Sequence, residues 1–454
     1  MRVDLPSALA LEDETGGAGA GSTSGGFSVP ASGGGWLNVI SRLRATYRDY
    51  PSKFWVLVGA SFVDGIGRTA IWPFFALYIT QRFDVGMTQA GILFAIFSTA
   101  GFVGNMLGGA LTDRFGRKTI VLFGLVVSAL SALTMGTVDR LATFYLLAAF
   151  VGVLSDIAGP AHQAMVADML PEEKRAEGFG VLRVAANLSW VVGPTIGGLL
   201  AAYSFFYLFV MDATASLITA VIVYRLIPET RPQARDVARQ ESMMQTFGGY
   251  GTVVRDGTFV AFIVVSALMN LVYLQMYSTL SVYLRDVHDV STRAFGFLMS
   301  MNATAVVLFQ FWLTRRLRPY RALPLMAAGT LLYLVGFTMY GFVTTFVLFA
   351  VAMLIITFGE MIVIPTAQAL AARFAPEDMR GRYMAVFGLS WGISATFGPL
   401  GAGVILDNYN PNWVWYLCGI LSAFAVTGFL ALDLRTRARL AASPVPEGEP
   451  APAA

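Results

Sequence analysis

The chain has 454 residues, 56% of them hydrophobic and only 13% charged, with a formal net charge of +3. About a quarter of the residues in a soluble domain are charged, so these figures exclude a water-soluble globular protein, and so small a net charge gives no ground for a nucleic-acid partner. The single cysteine, Cys418, excludes an internal disulfide and stands apart from any metal-type ligand spacing.

Residues 1–35 are rich in Gly, Ser and Ala and are expected to be disordered. They contain no apolar stretch of signal-peptide type. Residues 36–53 are mixed and basic and are expected to lie along a membrane surface. Twelve apolar segments follow, at 54–80, 86–112, 119–137, 141–169, 177–201, 204–226, 257–284, 291–314, 322–343, 345–373, 381–405 and 412–434. Each is close to the ~20 residues that a bilayer helix needs. Their apolar character is continuous rather than alternating, which favours helices over a barrel. The expectation is an all-α membrane protein of twelve transmembrane helices (spans 1–12). The polar stretch 227–256 reads as a cytoplasmic linker between two six-helix halves, 54–226 and 257–434, and 435–454 reads as a disordered tail.

Basic residues set the orientation. Of the 31 Lys and Arg, only Arg82, Arg140, Arg285 and Arg293 fall in the loops on one side. Arg2, Arg68 and Arg183 fall outside the loop count, and the rest lie on the side of the two termini. Both termini are therefore expected in the cytoplasm. An internal repeat supports the two halves. A shift of 205 places Pro160 on Pro365, Gln163 on Gln368, Arg175 on Arg380, Gly193-Pro194 on Gly398-Pro399 and Gly198 on Gly403. Parallel repeats with a site between them near the midplane are one anatomy of secondary transporters.

The loop between spans 2 and 3 reads Gly109-Ala-Leu-Thr-Asp113-Arg114-Phe-Gly116-Arg117-Lys118. Its glycines permit a tight turn and its acid can cap a helix end. The plainer reading is a positive-inside loop with one capping acid. The full spacing, G-x-x-x-D-R-x-G-R-K, resembles the signature loop of the major facilitator superfamily (MFS). The resemblance covers about residues 50–435. It implies a transporter rather than an enzyme, driven by a proton gradient and needing no cofactor or metal. It also implies that Asp113 docks on span 11 to latch one state. The equivalent loop of the second half, Thr314-Arg315-Arg316-Leu317-Arg318-Pro319, lacks the acid. Gly193-Pro194-Thr195-Ile196-Gly197-Gly198 in span 5 resembles the antiporter motif of the family, with Ser189 where another glycine is expected. Its plainer reading is close packing and a kink. The arginine that many drug/proton antiporters carry in span 4 is missing from Leu146–Gly152.

Charges inside the spans are costly, ~2.5–3.5 kcal/mol each at mid-bilayer, and each calls for a function or a partner. Glu360, in Gly359-Glu360 ahead of Pro365, resembles the acid of bacterial multidrug exporters and could carry a proton or neutralise a cation. Asp64 and Arg68 are four residues apart and can pair on one face of span 1. Asp156 shares a face of span 4 with Gln163. Asp168 and Arg183 are expected to be neighbours in a gate. Asp212 sits in an Asp-Ala element common in the superfamily and reads as structural. Asn270, Tyr273 and Tyr277 in span 7, with Trp72, Gln368 and Trp391, are candidates for a cavity that holds flat cations by stacking. The resulting expectation is a monomeric, multi-pass transporter of the cell membrane, with membrane lipid, protons and a small molecule as partners. The expected activity is proton-coupled antiport of amphipathic or cationic compounds, with Glu360 and the Asp64/Arg68 pair acting together. The alternatives are a carrier for a sugar, peptide or organic acid, and a non-transporting receptor on the same fold.

Overall fold

The computed structural model describes residues 49–230, 251–376 and 379–442. The expectations for 1–35, most of 36–53, the centre of the linker and the end of the tail fall outside them. Twelve helices among the described residues are long and apolar enough to cross a membrane. They are Ser52–Arg82, Met87–Gly108, Arg117–Thr137, Leu141–Met169, Glu173–Ala201, Phe206–Leu226, Gly257–Met276, Thr292–Leu317, Ala322–Tyr340, Phe346–Phe374, Arg382–Asn408 and Trp413–Thr436. The last helix runs on to Ala442, so residues 435–442 are helical rather than part of a disordered tail. Leu, Ala and Arg are good helix formers, and the basic side chains suit a helix C-terminus.

Several boundaries and breaks have a local cause. Gly116 has φ +94°, a conformation open to glycine, and it separates spans 2 and 3 within one residue. Pro73 sits in a 3-10 turn, Trp72–Phe74, that breaks span 1. Leu274–Met276 makes the corresponding turn after the first part of span 7. Asp256 caps the start of span 7 by accepting from the Thr258 and Phe259 amides, and Ser291 caps span 8 through the Ala294 amide.

The two halves are packed alike. Span 1 lies on spans 5 and 6, span 2 on 4, and span 3 on 4 and 6, while span 7 lies on 11 and 12, span 8 on 10, and span 9 on 10 and 12. The 205-residue offset extends to individual hydrogen bonds. Tyr78 donates to the Met135 carbonyl at 2.8 Å and Tyr283 to the Tyr340 carbonyl at 2.9 Å. Ser189 donates to the Phe62 carbonyl at 3.0 Å and Ser394 to the Ala267 carbonyl at 3.0 Å. Each such bond satisfies a carbonyl or hydroxyl that lipid cannot. The serine at 189, where the antiporter motif carries glycine, thus joins span 5 to span 1.

The halves meet through spans 2 and 11 and through spans 5 and 8. At the end away from the start of span 1, Asp407 accepts from the Met87 and Thr88 amides at 2.8 and 2.7 Å. Gly86 lies under that carboxylate, where a Cβ would collide with it. Gly198 and Gly296 face each other so closely that a Cβ on either would stand 2.8 Å from the Cα of the other. Arg285 Nη1 donates to Thr80 Oγ1 at 2.9 Å between the same halves. Nearer the middle, Thr396 Oγ1 meets Ser98 Oγ at 3.1 Å. These contacts close the far end of the bundle.

Candidate functional site

Among the described residues, two polar cavities within the spans hold the candidate charges. The first belongs to the second half, with span 5 and Trp72 of the first half forming its other wall. Its volume is about 520 Å³, and it runs from Trp72, Tyr273 and Trp391 to Arg183, Gln310 and Thr314, away from the closed end. Glu360 is its acid. Tyr273 donates to Oε1 at 2.7 Å and Asn302 Nδ2 to Oε2 at 3.0 Å. Asn302 also donates to Thr357 Oγ1 at 2.8 Å. No lysine or arginine lies within ion-pair distance of Glu360 among the described residues. The 3-10 turn at 274–276 brings Tyr273 and Tyr277 to the cavity wall, their rings 5.6 Å apart and edge to face. Tyr333, fully buried, stacks on Tyr273 at 5.8 Å. Trp190 of span 5 packs on Tyr277 across the halves at 5.1 Å.

The second cavity lies inside the first half. Asp64 Oδ2 pairs with Arg68 at 2.8 Å, and its Oδ1 accepts from Ser216 Oγ at 3.0 Å. Asp156, Asp212, His162 and Gln163 line the same space, and Ser61 Oγ lies 2.8 Å from His162 Nε2. Glu360 and the Asp64/Arg68 pair, expected to act together, therefore occupy different cavities. The reason is the pairing of spans. Span 10 packs on 8 and 9 in one half, and span 1 packs on 5 and 6 in the other. Trp72 lies between, lining the Glu360 cavity on one side and the aromatic part of the Asp156 cavity on the other.

Three further expectations are redirected. Asp168 pairs not with Arg183 but with the buried Arg117, at 2.9 Å, while Arg183 lines the Glu360 cavity. Asn270 does not line that cavity. Three residues before Tyr273 it turns towards span 11, where Nδ2 donates to Ser390 Oγ at 3.2 Å. Gln368 lies two helical turns beyond Glu360, about 12 Å along the axis, and does not line the cavity either. Asp212, read as structural, lines the first-half cavity. The sequence reading missed Asn302 and Tyr333. The signal for Asn302 was an unpaired amide in mid-span. Tyr333 offered none, since a buried aromatic fits any apolar span.

The signature loop engages its own half. Besides the Arg117–Asp168 pair, the Arg117 and Lys118 amides donate to Glu229 Oε1 at 2.9 and 3.2 Å, and Lys118 Nζ donates to the Tyr224 carbonyl at 2.8 Å. The Arg114 guanidinium lies 5.5 Å from the centre of the Phe115 ring. Gly109 and Asp113 lie in the helix Met87–Phe115, and the docking expected of the Asp113 side chain falls outside what is described. In span 5, Gly193 and Gly197 seat against Ile66, Thr69 and Ala70 of span 1, while Gly198 meets span 8.

A sequence profile described as the Major Facilitator Superfamily matches residues 57–395 and 325–453. The chain belongs to the Major Facilitator Superfamily. This MFS protein is a multi-pass membrane transporter, of a class that is not enzymatic. It is 27% identical over 416 residues to a protein of Planococcus maritimus named Na(+), Li(+), K(+)/H(+) antiporter, covering 83% of this chain and 94% of that one. It is 23% identical over 383 residues to the multidrug resistance protein MdtH of Shigella dysenteriae, covering 83% and 88%. Among solved structures, a POT family transporter in complex with 5-aminolevulinic acid aligns with a TM-score of 0.71 at 14% identity, over 86% of this chain and 97% of that one. At that identity the likeness is one of fold.

Proposed function

We propose that this MFS transporter is a proton-coupled exporter of amphipathic cations. It works by alternating access in the cell membrane, with both termini in the cytoplasm. The observation that carries this reading is the environment of Glu360. Its carboxylate is held by two neutral donors, faces a cavity walled by Trp72, Trp190, Tyr277 and Trp391, and has no basic partner among the described residues. An acid in the membrane must be neutralised, and here either a proton or a cationic ligand can do it. The two compete for one carboxylate, which is the elementary condition for exchange. Aromatic faces add ~0.5–2 kcal/mol of cation–π attraction each, and they select by charge and flatness rather than by a fixed hydrogen-bond pattern. The relatives named as a cation/proton antiporter and as a multidrug resistance protein are in keeping with this reading.

With the termini in the cytoplasm, the closed far end and the cavity running the other way would make this the inward-facing state, which takes up substrate from the cytoplasm. Opening the far end would separate Asp407 from span 2 and Gly198 from Gly296. The Gly-Pro segment of span 5 sits at that second contact, where it is suited to seal the path while the halves rock. Arg117, Asp168 and Glu229 hold the opposite end of spans 3 and 4 as one block.

The test is exchange in proteoliposomes with an entrapped pH dye. A lipophilic cation such as tetraphenylphosphonium should drive proton movement in the opposite direction, and an imposed pH gradient should accumulate it. Cation transport with no proton movement would overturn the coupling. Transport of peptides or organic acids in its place would overturn the substrate class.

A further inference from the structure

The aromatic part of the first-half cavity is not used by this exchange. It has a volume of about 410 Å³, lined by Trp72, Phe75, Phe94, Phe97, Asp156 and Asp212 among others. Small-molecule pockets are typically of this size and larger, mostly apolar with a few polar groups. The rings brace one another edge to face, Trp72 on Phe94 at 5.4 Å and Phe75 on Phe94 and Phe97 at 5.6 Å each, so the box is preformed. Its charge is unbalanced. Arg68 is paired with Asp64, and Asp156 and Asp212 have no ion-pair partner among the described residues. Asp212 is only 9% exposed and lines both parts of the cavity, and its carboxylate has no hydrogen bond among the described residues. Asp156 lies against Gly101, in space that a Cβ would need. Among the described residues no three carboxylate, imidazole or thiol groups converge to hold a metal ion. A proton on one of the two carboxylates and an organic cation filling the box would together supply the missing charge.

We propose that this box is a second binding subsite, for a lipophilic aromatic monocation. It is separate from the Glu360 cavity, and both can be filled at once. Asp212 and Asp156 supply the counter-charge and the rings supply the faces, with Trp72 as the wall shared with the Glu360 cavity. The proposal rests on the reading of this transporter as a cation exporter, and the experiment separates the two. Tetraphenylphosphonium binding to the purified full-length protein is measured at saturation by equilibrium dialysis. Wild type should bind two equivalents, Asp212→Asn and Glu360→Gln one each, and the double variant none. Should Asp212→Asn not remain monodisperse, Asp156→Asn and Ser131→Phe, which fills the box, should give the same fall from two to one. One equivalent in wild type, removed by Glu360→Gln, would overturn the second subsite and leave the export reading intact. Two equivalents unchanged in Asp212→Asn and in Ser131→Phe would also overturn it. Two equivalents that Asp212→Asn reduces and Glu360→Gln does not would support the subsite and overturn the role given to Glu360.

Discussion

The two halves share a fold and a hydrogen-bond pattern but handle charge within the spans in opposite ways. In the first half a basic side chain, Arg68, neutralises one of three acids, and a hydroxyl from Ser216 completes the pair. In the second half the residue 205 positions beyond Arg68 is Tyr273, and it donates a hydrogen bond to Glu360, which has no ion-pair partner among the described residues. An acid tied to an arginine changes state only if the arginine finds another partner. An acid held by a phenol and an amide changes state when a proton or a cation arrives. Only Arg68 and Tyr273 are equivalent by the repeat, since Asp64 corresponds to Met269 and Glu360 to Ser155, so the two acids stand at different helix positions.

The comparison breaks most directly at Glu360. Glu360→Gln keeps the side-chain volume and removes the charge. It should lower transport of a monocation on the order of 100-fold, the scale of one ~3 kcal/mol charge-assisted interaction, while a neutral analogue of the same shape loses far less. Equal losses for both compounds, measured as initial rates in vesicles, would make Glu360 a packing residue. Tyr273→Phe is the next step down. It keeps the ring stacked on Tyr333 and removes only the donor at 2.7 Å. A hydrogen bond to a charged group is worth ~1.5–3 kcal/mol, so apparent substrate affinity should change roughly 10- to 100-fold and the pH dependence of transport should move with it. If the pH profile stays in place, Tyr273 is a wall rather than a partner of the acid.

Much of this arrangement was legible in the sequence because the bilayer makes it so. Spans are visible as uninterrupted apolar runs, and a mid-span charge such as Glu360 or Asp64 stands out against them. The repeat was legible from Pro160/Pro365 and Gly193/Gly398 because backbone demands survive divergence. Which acid faces which partner was not legible. Asp168 and Arg183 are close in sequence, yet Asp168 reaches Arg117, because span 3 and not span 5 packs on that face of span 4. Glu360 and Asp64 looked like one site because both lie at mid-depth, and depth says nothing about which helices lie between. Asp212 looked structural because a family element explained it; only the packing shows that its carboxylate faces a cavity.

A smaller effect tests whether the shared architecture, rather than the differing charges, controls closure. Gly198 and Gly296 occupy the contact between spans 5 and 8. A side chain at Gly198 would overpack it, at a cost of ~1–3 kcal/mol. Gly198→Val should therefore shift the population away from the closed far end by roughly 5- to 150-fold. Spin labels at the exposed Tyr203 and Phe297, in a Cys418→Ala background, should report a longer distance. An unchanged distance distribution would mean that Asp407 on span 2 is sufficient to hold that end.

The smallest expected effect concerns a pair of positions outside the membrane-spanning segments of the second half. Phe83 packs on Phe144 in the first half at 5.4 Å, and 205 residues on, His288 packs on Phe349 at 4.9 Å with Nε2 3.1 Å from the Tyr283 hydroxyl. Burial pushes the His288 imidazole below its ordinary value of 6.5, against the pull of Asp289. The folded protein therefore favours the neutral ring. The unfolded chain binds the proton more readily, so the stability that His288 contributes is present above about pH 6.5 and declines as the pH falls below it. The apparent melting temperature of the wild type should drop between pH 7.5 and 5.5. His288→Phe, which restores the residue type of the first half, should start slightly lower at pH 7.5, because the contact with Tyr283 is worth ~0.5–1.5 kcal/mol, and should lose less on acidification. Parallel curves for the two proteins would show that acid sensitivity lies elsewhere and that, at this corner, the two halves are equivalent in practice as well as in geometry.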